Sequence, residues 1–329
     1  MPATTSSQTG HYVHDLDPVI FELFGNIAPR WYGLAYVLGF FLGILVLRWL
    51  ARRDRFVLSP DQVSDFLTYA FIFGVFLGGR VGYFLFYKPA TLLSDPLEFF
   101  NLLGGGMASH GGILGLIAFT FYYARRHKVS WPALGDGLVV VAPIGLAFGR
   151  IANFINGELY GRVTNSTSWA VIFPESLRET GALGDRAAEA WNAMVTADPR
   201  IDLSAPDRVS QVVTYVRDNP ELKLALATYL APRHPSQLYQ AACEGILLFA
   251  VLFAVRWFCK NLAPGILTGL FFILYAVARI SVEQFREPDA DLILGLTRGQ
   301  FYSTFMIVIG LAFLAYGFVS NRKQSPANA

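Results

Sequence analysis

Between Trp31 and Leu47, and again between Phe301 and Val319, the chain carries no charged side chain. A hydrocarbon core about 30 Å thick is crossed by about 20 helical residues, because a helix rises about 1.5 Å per residue. Seven stretches meet that demand, at roughly 31–50, 66–87, 108–125, 136–156, 237–257, 265–285 and 300–320. Charge is scarce overall: 15% of the 329 residues, against about 25% in soluble domains. It is also unevenly placed, with 15 charges between Glu175 and Lys223. A single soluble globule, a disordered chain and a fibre are thereby excluded. The expected fold is an all-α polytopic membrane protein of seven transmembrane helices with one polar insert. Residues 1–156 form an N-terminal arm and spans one to four, 157–232 the insert, and 233–329 the last three spans and a tail.

Orientation follows from the basic residues of short loops. Arg48, Arg52, Arg53 and Arg55 follow the first span, and Arg125, Arg126 and Lys128 the third. Arg256 and Lys260 follow the fifth, and Arg322 and Lys323 the seventh. The opposite segments hold only Arg30, Lys88, Arg286 and Arg298. The N-terminus and the insert are therefore expected outside and the C-terminus in the cytoplasm. Residues 1–29 lack Lys and Arg, so the first span is expected to act as its own signal. No basic patch suggests a nucleic-acid partner. An odd span count argues against a simple inverted-repeat transporter.

Glycines four apart recur within spans, at Gly39/Gly43, Gly74/Gly78, Gly111/Gly115 and Gly145/Gly149. Such pairs let helix backbones approach closely in lipid, and packing is the expected role. Pro143 is expected to kink the fourth span. Cys243 and Cys259 lie in apolar sequence and read as small buried side chains rather than a disulfide or metal site.

Ionisable groups inside spans are costly and point to function. Here they are Arg80, His110, Arg150, Glu244, Arg279 and Glu283. Arg80 precedes Tyr87 by about 10 Å of helix and Arg150 precedes Asn156 by about 9 Å. His110 and Glu244 lie near the outer ends of the third and fifth spans, and Arg279 and Glu283 in the outer third of the sixth. Five helices thus place their costly groups at one expected depth. A proton or ion path would distribute them through the full thickness, whereas one layer suits a lipid headgroup. Simple ion pairing, such as Arg279 with Glu283 one turn on, is the bland alternative.

The densest run is Gly149-Arg150-Ile151-Ala152-Asn153-Phe154-Ile155-Asn156-Gly157-Glu158-Leu159-Tyr160-Gly161. On a helix Arg150, Asn153 and Gly157 share a face, with Asn156 beside it. One cation with carboxamides suits a phosphate ester and its hydroxyls. Ser109-His110-Gly111-Gly112 opens the third span, while Tyr229 and Arg233-His234-Pro235-Ser236-Gln237 precede the fifth. Tyr32, after Trp31, reads alone as an interfacial anchor.

The run GRIANFINGELYG resembles the signature of the bacterial phosphatidylglycerol–prolipoprotein diacylglyceryl transferases. RWYG at 30–33, FLGGRVGY at 76–83, SHGG at 109–112, RHPSQLY at 233–239 and the pair Arg279 and Glu283 resemble further family blocks in the same order. Residues 165–228 match least. The resemblance implies a bacterial inner-membrane enzyme with a periplasmic head and an active site toward the periplasmic leaflet. Its implied partners are phosphatidylglycerol, preprolipoprotein signal peptides with a lipobox cysteine, and membrane lipids. It implies essential roles for Arg150 and Arg233, and further roles for Tyr32, His110, Asn153, Gly161 and Tyr229. Catalysis is expected from Arg150, Arg233, His110 and Tyr229. Phosphatidylglycerol contacts are expected from Arg150, Asn153, Asn156, Glu158, Gly161, Tyr32, Arg80 and Arg279. No cofactor or metal is expected.

The substrate brings its own thiol nucleophile, so neither cysteine of the chain is needed. Arg150 and Arg233 are expected to clamp the departing phosphate. His110 is one candidate for the proton acceptor, but its helix-terminal position equally suits a structural histidine. Tyr229 or Tyr32 can orient the thiol or the glycerol instead. Glu158 is either a substrate contact or the partner of an arginine. A serine or aspartate protease lacks the required pairs, since adjacent Ser109 and His110 do not face each other on a helix and Asp136 has no partner aspartate. A flippase would need a polar path through the inner leaflet.

Overall fold

A computed structural model describes residues 10–22, 28–101, 105–165, 168–179, 181–288 and 291–324. The rest of the expected N-terminal arm and tail, and three positions of the insert, lie outside the described residues. The principal helices are α1 (Trp31–Ala51), α2 (Pro60–Tyr87), α3 (Ser109–His127), α4 (Trp131–Ile155), α5 (Ala187–Ala197), α6 (Arg208–Tyr215), α7 (Pro220–Tyr229), α8 (Ser236–Phe258), α9 (Ile266–Glu283) and α10 (Arg298–Gln324). Two short strands, β1 (Tyr12–Val13) and β2 (Val171–Ile172), pair in parallel. Among the described residues six helices, namely α1, α2, α4, α8, α9 and α10, are long and apolar enough to cross a membrane. The protein is therefore mostly helical and multi-pass. Helix α3 has 19 residues but opens on Ser109-His110 and closes on Arg125-Arg126-His127, which leaves it outside that set.

Contacts divide the chain into two units. One comprises residues 1–39, 143–248 and 274–307, the other 40–142, 249–273 and 308–329. In the first, the insert builds a core of its own from Trp191 and Met194 of α5, Val212 of α6, and Leu222 and Leu226 of α7. Val13 of β1 joins that core, so the N-terminal arm is tied to the insert. Asp207 caps α6 by accepting from the Ser210 N–H. Asn219 caps α7, with Pro220 in the first turn, where a missing N–H costs nothing.

In the second unit α2 begins six residues before the expected span, because Ser59 and Gln62 form a reciprocal capping box. Its glycines meet those of α3: a Cβ on Gly78 would lie 2.6 Å from the Gly111 carbonyl and 2.8 Å from the Gly115 Cα. Packing is thus the role of this pair of motifs. Gly145 and Gly149 differ, since a Cβ on either meets nothing within 4 Å; the Gly145 backbone is instead approached by the Cβ position of Gly39, 3.1 Å from its Cα. Asp136 accepts from the N–H groups of Gly265 and Thr268 at 2.8 Å each, which caps α9 from a neighbouring helix. Pro143 lies inside a helix that continues through it to Ile155. Cys259 is exposed rather than buried, because it follows the last turn of α8.

Candidate active site

Helix α4 ends in a Schellman turn. The Glu158 N–H reaches back to the Asn153 carbonyl at 3.1 Å and the Gly157 N–H to the Phe154 carbonyl at 2.9 Å. Gly157 has φ +69°, a left-handed conformation that glycine adopts without penalty. The turn folds Glu158 back onto the helix, where its Oε1 accepts from Asn153 Nδ2 at 2.7 Å and Asn156 Nδ2 at 3.4 Å. Among the described residues the hydrogen-bond partners of the Glu158 carboxylate are therefore two carboxamides and no arginine, because the turn aims its side chain along the α4 face.

One turn earlier, Arg150 donates to Glu244 Oε2 at 3.4 Å. Glu244 is wholly buried in a π-helical turn of α8, Ala241–Leu247. Such turns widen the helix and are frequent at functional sites. Its other oxygen lies 3.4 Å from Arg279, which also pairs with Glu283 at 3.0 Å. Three helices thus contribute two cations and two anions to one buried cluster. Arg150 is the most open member, with 19% of its side chain exposed against 13%, 5% and 0% for the others.

A second cluster surrounds Arg233. Its guanidinium pairs with Glu287 at 3.3 Å and with Glu179, donates to the Gly161 carbonyl at 3.3 Å, and lies over the Tyr160 ring. Burial, and then its hydrogen bond to Glu179, push the Tyr160 hydroxyl pKa upward. A cavity of about 480 Å³ opens beside this cluster, lined by Glu158, Tyr160, Glu179, Arg286 and Glu287 among others. Gly161 is fixed by backbone packing, since its Cβ would strike the Phe285 carbonyl and lie 2.6 Å from that of His234. Ser236 and Gln237 donate to the carbonyls of Leu159 and Glu158, which ties the start of α8 to the same segment.

Arg150 and Arg233, the two expected clamp residues, belong to separate ion-pair clusters, with no ion-pair partner in common among the described residues. Tyr229 is engaged in the insert, donating to Glu189 at 2.9 Å with Arg186 over its ring. The Glu189 hydrogen bond raises its hydroxyl pKa. Tyr32 packs against Tyr36 at 5.2 Å, a tilted pair at the start of α1. Arg80 and His110 belong to the other unit. His110 is exposed in the first turn of α3. Arg80 is 3% exposed and donates to the carbonyls of Glu98, Phe99, Asn101, Gly105 and Gly106. That arrangement occupies its fork with backbone carbonyls, the geometry of a loop anchor. Glu179, Glu287, Tyr160 and His14 were not among the expected site residues. His14 stacks on Phe173 and donates to the Phe154 carbonyl at 2.7 Å, bracing the last turn of α4.

Comparison with known proteins gives this geometry a family. The model of the prolipoprotein diacylglyceryl transferases matches residues 18–316. The phosphatidylglycerol–prolipoprotein diacylglyceryl transferase of Bdellovibrio bacteriovorus is similar, 41% identical over 92% of this chain and 93% of its own length. Those of Rhodospirillum rubrum and Geobacter sulfurreducens are 39% and 38% identical, each over 94% of this chain and over 94% and 98% of their own. Similarity of that extent, carried through the segment that joins both ion-pair clusters, means that the chain belongs to the prolipoprotein diacylglyceryl transferase family.

Proposed function

We propose that the protein moves the diacylglyceryl group of phosphatidylglycerol onto the lipobox cysteine thiol of a preprolipoprotein, the first step of lipoprotein maturation. The substrate sulfur forms a bond to the terminal glycerol carbon of the diacylglyceryl group. The bond from that carbon to the phosphate oxygen breaks, and the electron pair leaves with glycerol 1-phosphate. A thioether remains, and the thiol proton passes to a base or to water.

The carrying observation is the partly open Arg150 guanidinium, fixed from behind by buried Glu244 and flanked on its own helix by Asn153 and Asn156. Negative charge grows on the leaving phosphate, and a preorganised cation in a poorly hydrated site stabilises that change. A free thiol has a pKa near about 8.5 and reacts as thiolate, so nearby arginines also favour the nucleophile. Arg233 is the second cation of the reading, and a phosphate reaching it exchanges with Glu179 or Glu287. His110 is the candidate base, and Tyr32 and Tyr229 orient the glycerol or the thiol. Near-normal turnover of His110→Gln would remove it from that role.

The same reading makes α3 the seventh span, places the N-terminus and insert in the periplasm, and sets the protein in the bacterial inner membrane. The length of α3 and its glycine crossing with α2 support this, as do the basic residues between spans. Purified protein, phosphatidylglycerol and a lipobox peptide test the reaction. Glycerol phosphate is expected only when the peptide carries its cysteine. Release without peptide would indicate a lipase, and no release at all would overturn the proposal.

A further inference from the structure

The second unit holds a cavity of about 190 Å³ lined by Arg55, Phe56, Asp136, Gly137, Arg256 and Pro264 among others. Its two arginines are fixed reciprocally. Arg256 donates from Nε to the Arg55 carbonyl, and Arg55 donates from Nη1 to the Arg256 carbonyl at 3.5 Å. That clasp holds both backbones and leaves the Nη groups of Arg256 for another acceptor. Among the described residues neither arginine has a carboxylate within ion-pair distance.

Asp136 contributes the one negative charge of the lining, and its oxygens are taken by Gly265 and Thr268. Phe56 closes directly on α4, because a Cβ on Gly137 would fall within the Phe56 ring that covers it. Arg53, two residues before Arg55, adds further positive charge, 3.9 Å over the Trp49 ring, and Trp49 stacks on Trp257 at 4.8 Å. Tryptophans at helix ends mark the headgroup level of a bilayer, and basic pockets between helix ends take anionic headgroups.

We infer that this cavity binds a phosphate ester through Arg55 and Arg256, and that its source is the headgroup of an anionic phospholipid. The site is separate from the transfer reaction and does not rest on that reading. A cavity of this size takes a phosphate and its ester oxygens and leaves acyl chains outside, along the apolar helices.

The test uses detergent-solubilised full-length protein titrated with dioleoyl phosphatidic acid or dioleoyl phosphatidylcholine, with retained lipid read by native mass spectrometry. Wild-type protein is expected to hold phosphatidic acid about tenfold more tightly, and Arg55→Gln, which keeps the backbone carbonyl, to lose most of that preference. Arg52→Gln, an exposed arginine nearby, is expected to keep it. Equal losses in the two variants, or no lipid preference in the wild type, would overturn the site. Should Arg55→Gln fail to fold, Arg256→Gln, which removes the other guanidinium of the cavity, is read in the same titration and is expected to lose the preference as well. Displacement of the retained lipid by millimolar inorganic phosphate would support the site but overturn the lipid as its source.

Discussion

The Glu244 carboxylate sits between Arg150 and Arg279, one oxygen 3.4 Å from each guanidinium. It is the only member of the four-charge cluster that touches two cations, and it is wholly buried. Glu244→Gln keeps the shape and removes the charge, which leaves two guanidiniums with Glu283 alone. Uncompensated buried charge of this kind costs about 3 kcal/mol. The expected result is a lower thermal midpoint and a fall in turnover, because Arg150 loses the group that aims it. An unchanged midpoint would show that the pairing contributes nothing to the folded state.

Arg80 gives a contrasting expectation. Its donors end on five backbone carbonyls of the 98–106 segment, and lysine has three donors without the planar fork. Arg80→Lys should destabilise the protein by about 1–2 kcal/mol through the carbonyl contacts that the buried side chain no longer makes. The KM for phosphatidylglycerol should stay close to that of wild type. A raised KM with an unaltered midpoint would instead make Arg80 a headgroup contact.

Gly161→Ala separates packing from substrate contact in the signature segment. The new methyl meets the carbonyls of Phe285 and His234, and the bridges to Arg286 and His234 must open to admit it. Overpacking at such a site typically costs about 1–3 kcal/mol. Midpoint and turnover should fall together. Loss of turnover in a variant of wild-type stability would count against the packing role.

Stability should also report on His14. Burial lowers its pKa, its strongest influence, while the Phe154 carbonyl acts in the opposite sense. The unfolded chain binds a proton near the ordinary value of about 6.5 and the folded one does so only at lower pH. Stability is therefore full above about pH 6.5 and declines as pH falls below it. His234, lowered by burial as well, adds to the same slope. Thermal midpoints of His14→Gln measured from pH 7 to pH 5 should fall less steeply than those of wild type, and equal slopes would remove His14 as a contributor.

The apolar runs made the long helices legible, because length and charge scarcity are local properties. The Arg279–Glu283 pair was legible for the same reason, being one turn apart on α9. Glu244 was recognisable as a costly residue, but its two partners depend on how α4 and α9 meet α8. The pairing of Tyr12–Val13 with Val171–Ile172 joins two-residue strands far apart in the chain, too short for any periodic signal. Glu179 lies in the insert, where charges are frequent and nothing local distinguishes the one that reaches Arg233. For Arg80 the carbonyl partners were not legible, since a buried arginine reads alike in sequence whether it faces a phosphate or five carbonyls.

Cys259 supplies a probe of orientation without engineered residues. It is exposed just past Phe258, between Arg256 and Lys260, and the basic residues of this loop favour the cytoplasm. Cys243 is half-buried within α8, so Cys243→Ser leaves one reporter. A membrane-impermeant maleimide should label that variant in sealed inside-out vesicles and leave it unlabelled in intact spheroplasts. Two further spans, α9 and α10, follow Cys259, so the end of α10 is expected on the same side as Cys259. Labelling from outside would therefore invert the whole reading, moving the insert and the Arg150 end of α4 to the cytoplasmic face, where the proposed periplasmic site is impossible.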